Sequence, residues 1–162
     1  MPQKKVWEKE YSDKKLVVLS DNKPQHSLLQ YFRFIKKQGV ILKSLSILDL
    51  GCGVGKNSHY LAELGNYVVG IDISSKAIQI AKNNAKKSNL DIEYIVGDIG
   101  SKLLFKDKTF DLVLDSMSSN SLSEKERNIY LSEVHRLLKP AGNFFIKTLC
   151  LDGDKNAKYL IK

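Results

Sequence analysis

Apolar residues follow two rhythms along this chain. Short runs of five or six read as buried strands, and longer stretches with apolar positions three and four apart read as helices. The run "LSILDL" (45–50) predicts a first buried strand. "YVVGID" (67–72), "IEYIVG" (92–97), "TFDLVLD" (109–115) and "NFFIKTL" (143–149) predict four more. Between them, "KNSHYLAEL" (56–64) predicts a helix that stops at Gly65. "SSKAIQIAKNNAKKS" (74–88) predicts an amphipathic helix with Ala77, Ile78 and Ala81 inward and Ser74 as its cap. "SEKERNIYLSEVHRLLKP" (123–140) predicts a third, opened by Ser123 with Glu126 three residues on and closed near Pro140 and Gly142. Ahead of the first strand, Leu28, Phe32 and Ile35 recur at helical spacing up to Gly39. Residues 1–23 are polar apart from a few positions, among them the aromatics Trp7 and Tyr11, one helical turn apart.

Strands alternating with helices predict an α/β fold, a parallel sheet covered on both faces. Such a sheet binds ligands beyond the carboxyl ends of its strands, where the strand order reverses. Four acids fall at or just past predicted strand ends: Asp49, Asp72, Asp98 and Asp115. The first strand runs straight into a glycine-rich stretch, "LDLGCGVGK".

Composition narrows the picture only slightly. The 162 residues suit one domain of ordinary size. No run of 18 apolar residues predicts a membrane span, and no apolar run follows the N-terminal lysines as a secretory signal requires. A cytoplasmic protein is the expectation. Cys52 and Cys150 have no zinc or redox spacing and read as reduced thiols. The net charge is +8, carried mostly by lysines scattered along the chain. That suits a solvated surface; a nucleic-acid partner stays possible but has no clustered charge behind it.

The glycine stretch decides more. A dinucleotide fingerprint needs GxGxxG, but Lys56 stands in the third glycine's place. A Walker A loop needs a glycine at position 50 and Ser or Thr after Gly55-Lys56; the chain has Leu50 and Asn57. What remains is Asp-x-Gly-x-Gly-x-Gly. With "VVGIDIS", "YIVGDIG", "FDLVLDSMSSNSL" and "LSEVHRLLKPAGNFFIKTL" following in order, residues 25–150 resemble the class I S-adenosylmethionine (SAM) dependent methyltransferases. The resemblance is of the small-molecule kind.

The resemblance implies a doubly wound, Rossmann-like, mostly parallel sheet, with residues 24–162 as the SAM-binding domain. It implies SAM as cofactor and S-adenosylhomocysteine as product. Its cofactor-binding positions fall on Asp49, Gly51, Cys52, Gly53, Gly55, Asp72, Ile73, Asp98, Ile99 and Asp115. The acid after the second strand, Asp72, would take the ribose diol. Asp98 and the amide of Ile99 would face the adenine, and Asp49 would hold the methionyl ammonium. No catalytic residue and no metal ligand is implied. The segment after strand four, "DSMSSNS", lacks the Pro-Pro of adenine-N6 enzymes and the Pro-Cys of cytosine-C5 enzymes. Asn120 and Ser121 stand where many small-molecule enzymes of the family have a histidine, and His26, His59 and His135 read as structural or surface residues. A small-molecule acceptor is favoured. A SAM-binding module without turnover, an RNA or protein methyltransferase, and an aminopropyl transferase are the alternatives. Trp7 and Tyr11 would either close over the cofactor as a lid or pin the N-terminus to the core. The family's sheet has seven strands, so a chain truncated after strand five is expected, with an uncovered edge that could pair two copies.

Overall fold

A computed structural model describes residues 2–12 and 23–149. Its five strands form one parallel sheet in the order β3-β2-β1-β4-β5. They are β1 (Ser46–Leu50), β2 (Tyr67–Asp72), β3 (Glu93–Val96), β4 (Phe110–Ser116) and β5 (Leu138–Lys147). The helices are α1 (Pro2–Glu10), α2 (His26–Lys37), α3 (Lys56–Glu63), α4 (Ser75–Lys87) and α5 (Glu124–Leu137). The order reverses between β1 and β4, so the carboxyl ends of these two strands flank the crevice where a doubly wound sheet takes its ligand.

Strand alternation sorts the core into two layers. Leu48, Leu50, Ile71 and Val113 point to the face covered by Tyr130, Val134 and Leu137 of α5. Ile47, Val68, Leu112 and Leu114 point to the other face, against Leu28, Phe32 and Ile35 of α2 and Leu61 of α3. Both faces are buried, which is why these strands read as nearly continuous apolar runs rather than alternating ones. A third cluster packs Ile78, Ala81 and Ala85 of α4 against Tyr94 of β3.

The local signals hold. Ser74 accepts from the Ala77 amide at 3.2 Å and opens α4. Ser123 and Glu126 form the reciprocal capping box at the start of α5. One boundary differs from the sequence expectation. Helix α5 stops at Leu137, before Pro140, and β5 begins at Leu138 instead of near 143. Phe110 pairs with Leu138, and two residues later Leu112 pairs with Asn143, so β5 carries a bulge holding the intervening residues. Pro140 has no amide to donate, and Ala141 has φ of 62°, so neither could join a regular ladder. Asp111 closes the bulge. It accepts from Lys139 Nζ at 2.9 Å and from the Ser46 amide at 2.8 Å, joining β5 to the start of β1. Among the described residues β5 forms one edge of the sheet, and Ile146 on it is exposed. Cys150 and the segment after it lie outside the described residues. No described helix is long and apolar enough to cross a membrane.

The loop after β3 is tied down by α5. Glu133 Oε2 accepts from the Leu103 amide at 2.8 Å, and both Glu133 oxygens take Arg136. Arg136 also donates to the carbonyls of Phe105 and Leu103. Glu133 is 7% exposed, so its removal strands a buried amide and leaves Asp107 as the remaining carboxylate on Arg136. Glu133→Ala is expected to cost about 2–3 kcal/mol in urea unfolding. A loss under roughly 0.5 kcal/mol, the range of ordinary surface substitutions, would mean that the network does not hold the loop.

Candidate cofactor site

The site is built where β1, β2, β3 and β4 end. β1 delivers the chain into a turn in which Gly51, Gly53 and Gly55 have φ of 67°, 55° and 85°. Positive φ is strained for residues with a Cβ, and here space forbids one as well. A Cβ on Gly51 would collide with Ser118 of the loop after β4. One on Gly53 would stand 2.7 Å from the hydroxyl of Tyr11. Gly55 caps α3 with its own backbone, pressed against the Tyr94 hydroxyl and Ala81.

Each acid at a strand end has its own donors. Asp72 Oδ2 accepts from the Gly53 amide and Oδ1 from the Ser74 amide, both at 2.8 Å. Burial pushes its pKa up, and these two amides pull against that rise. Asp98 accepts from the Gly100 amide at 2.8 Å and shapes the turn after β3. Asp49 is 1% exposed and accepts from the Ser58 hydroxyl at 2.5 Å. Burial raises its pKa to about 7, against the pull of Ser58, with Asp115 and Asp72 repelling a second negative charge. Asp115 is fully buried. Its oxygens take the amides of Ser118 and Ser119, the Ser118 hydroxyl and the Tyr130 hydroxyl.

Two cavities open onto this ground. The first, about 140 Å³, is lined by Gly51, Asp72, Ile73, Asp98 and Ile99, with Leu122 and Met117 beyond them. The second, about 380 Å³, is lined by Gly51, Cys52, Gly53, Gln25, Asn57 and Ser116 among others. Seven of the ten residues marked in the sequence thus face a cavity. Asp49, Gly55 and Asp115 line neither cavity. Asp49 is engaged by Ser58 of α3, Asp115 by the loop after β4, and Gly55 is held in the turn by α3 and Tyr94. Burial also pushes the Cys52 thiol well up, which leaves it a small apolar filler rather than a nucleophile. None of the three histidines lines either cavity. His59 is buried with its Nε2 unpartnered, and burial lowers its pKa.

Sequence reasoning missed Tyr94 as the support beneath the turn. Its ring lies across Gly70, its register partner, so a Cβ there would be 2.7 Å from the ring. A glycine inside a buried strand was the signal that something approached closely. Gln25 and Asn57 were missed too. The Gln25 amide donates to Asn57 Oδ1 at 3.0 Å, and Ser116 donates to the Gln25 side chain. Nothing in their spacing announces this, because 91 positions separate Gln25 from Ser116.

The donor set says what the cleft can hold. A pyrophosphate would meet the carboxylates of Asp72 and Asp98, and the Gly53 amide already serves Asp72. A neutral adenosine with a cationic tail meets acceptors for its ribose and a glycine turn for its backbone-close passage. Such a crevice fits the cofactor of the Rossmann-like, class I SAM-dependent methyltransferases. The profile of the Methyltransferase domain family matches residues 47–142, and the chain belongs to that family. The ubiquinone biosynthesis O-methyltransferase of Pelagibacter ubique is 39% identical over 109 residues, covering 67% of this chain and 43% of that protein. The crystal structure of the PH0226 protein from Pyrococcus horikoshii OT3 superposes with a TM-score of 0.65 at 38% identity, over 78% of this chain and 60% of that one. A SAM-dependent methyltransferase from Methanosarcina mazei gives 0.62 at 35% identity, over 69% and 55%. The chain spans under half the length of its Pelagibacter relative.

The raised pKa of Asp49 has a measurable sign. The folded carboxyl keeps its proton up to about pH 7, while the unfolded one releases it near its ordinary 3.8. The unfolded state therefore binds fewer protons between these values, and stability from this group falls as pH rises through them. In Asp49→Asn that fall disappears. Urea midpoints of the native protein should drop relative to Asp49→Asn from pH 4 to pH 7; a flat or rising difference would show an ionised Asp49.

Proposed function

We infer that this chain supplies the cofactor-binding part of an enzyme that transfers a methyl group from SAM to a hydroxyl of a small molecule. The observation carrying this is the meeting of a tight glycine turn with two cavity-facing carboxylates, Asp72 and Asp98, at the ends of adjacent parallel strands. Residues 24–162 are read as the domain that binds the cofactor, and residues 1–23 as a segment over its cleft. The oxygen acceptor is carried over from the O-methyltransferase relative.

In this reading Asp72 keeps its two amide bonds and offers its remaining lone pairs to the ribose diol. The Asp98 carboxylate and the Ile99 amide face the adenine. Gly51 and Gly53 let the methionyl part pass against bare backbone. SAM, when bound, supplies a methyl carbon activated by its sulfonium. The chain's task is to hold an acceptor oxygen about 3 Å from that carbon and in line with the bond that breaks. The second cavity is the acceptor side, because Gln25, Asn57 and Ser116 give it hydrogen-bonding walls next to the glycine turn. An acidic hydroxyl loses its proton readily, so the absence of histidine from the cavity walls suits a phenolic acceptor better than an alcohol.

Calorimetric titration with SAM and S-adenosylhomocysteine, with NAD as control, tests the cofactor. Both SAM-type ligands are expected to bind and NAD to fail. Asp72→Ala is expected to weaken them by about a hundredfold, the worth of two charge-assisted hydrogen bonds. Binding of NAD, or unchanged affinity in Asp72→Ala, would defeat the reading.

A further inference from the structure

The second cavity is walled by two side-chain amides whose orientation the structure fixes. Gln25 stands just ahead of α2, and Asn57 lies in the first turn of α3. Both line the cavity. Asn57 Oδ1 accepts from the Gln25 backbone amide at 3.0 Å, so its NH2 turns the other way. Gln25 Oε1 accepts from the Ser116 hydroxyl, at the end of β4. It also takes Lys147 Nζ at 3.4 Å, from the end of β5. A backbone amide and an ammonium are donors only, so the atoms that meet them are the amide oxygens. Ser116 and Lys147 are register partners, which sets them side by side against Gln25.

Each amide thus gives its oxygen to the protein and keeps its NH2. Neither NH2 has an acceptor among the described residues, and neither is sealed in the interior as the Tyr94 hydroxyl is. Of the charged side chains on the cavity wall, Lys56 belongs to α3 and Glu10 to α1. Lys147 is not on that wall and reaches the cavity only through Gln25. Its charge on Oε1 polarises the amide and strengthens the N–H donors at the other end.

We propose that Gln25 and Asn57 choose the acceptor's nucleophile: their paired N–H donors hold an oxyanion and turn away an amine. This deepens the methyl-transfer reading and rests on it, because that reading makes the second cavity the acceptor side. An ionised phenol oxygen has lone pairs enough to take both donors and still attack. A neutral amine has one lone pair, and its own N–H groups would face N–H groups, so donors on both sides would lose their partners. A phenol that leaves its proton in solvent before docking needs no base in the cavity walls. Lys147 acts through Gln25 and is a positioning residue.

The matched probes are para-nitrophenol and para-nitroaniline, which share a ring and differ in the group that meets the amides. Absorbance follows their binding and also titrates the bound phenol. The native protein is expected to prefer para-nitrophenolate to para-nitroaniline by about tenfold, the worth of one hydrogen bond to a charged group, and to lower the pKa of the bound phenol. Gln25→Glu puts an acceptor where the NH2 was, and is expected to abolish the preference and reverse the pKa shift. Lys147→Met, at an exposed position, is expected to weaken para-nitrophenolate by about threefold and to raise the bound phenol's pKa, with para-nitroaniline unchanged. Equal affinity for the two probes, no binding of the phenolate, or a preference that survives Gln25→Glu overturns the assignment. If Gln25→Glu does not fold, Lys147→Met decides, and an unmoved pKa of the bound phenol overturns it. S-adenosylhomocysteine is titrated separately. If it fails to bind while the preference is present and lost in Gln25→Glu, the amide pair stands and the cofactor reading falls. If it binds and the preference is absent, the amide pair falls and the cofactor reading stands.

Discussion

A carboxylate taken out of water must find donors, and this structure is organised by where three of them find theirs. Asp49, Asp72 and Asp115 end adjacent or nearby strands, and each is less than a tenth exposed. Asp72 takes the Gly53 amide and so folds the glycine turn back towards β2. Asp115 takes two amides of the next loop and so folds it over Gly51, while Tyr130 fastens the same carboxylate to α5. Asp49 is held by Ser58, and burial pushes its pKa to about 7. The shape of the crevice thus follows from satisfying buried acids. Its acidity is a consequence of the same need, and it makes the crevice receptive to a cation and hostile to a phosphate.

The elements of this fold were legible because both faces of the sheet are covered. Burial on two sides forces apolar runs at β1, β2 and β4, and the capped helices between them announce their own starts. The end of α5 was misread because Pro140 looks like a helix stop placed after the last turn. In fact it belongs to a bulge, where an edge strand tolerates a residue with no amide to give. That choice depends on the Asp111–Lys139 pair, formed across strands, and no local pattern reveals it.

The site divides along the same line. Gly51, Gly53, Asp72 and Asp98 were readable because each reaches a cavity through its own position at the strand ends. Asp49 and Asp115 carried the same outward pattern, yet line neither cavity. A spacing rule sees an acid after a strand; it does not see whether the acid's oxygens are already engaged. Tyr94 could have been inferred from Gly70, since a bare backbone in a buried strand implies a bulky neighbour. Glu8 could not. Its partners, Ser74 and Ser75, lie 66 and 67 positions away, and a polar N-terminal segment gives no reason to choose that carboxylate over Glu10.

The two kinds of acid also impose different costs on change. Asp72 faces the cleft and also holds the buried Gly53 and Ser74 amides, so its loss should register in binding and in folding together. Asp115 has its oxygens engaged by the Ser118 and Ser119 amides and by Tyr130, and its removal would strand those donors in the interior. The loop it holds supplies Ser116, Met117 and Ser118 to the cavity walls. A defect at Asp115 would therefore reach both cavities through loop position. Trp7 of α1 and Tyr11 just after it line both cavities, as do Gly51 and Ser116, so the two share a wall drawn from the N-terminal helix and from the ends of β1 and β4.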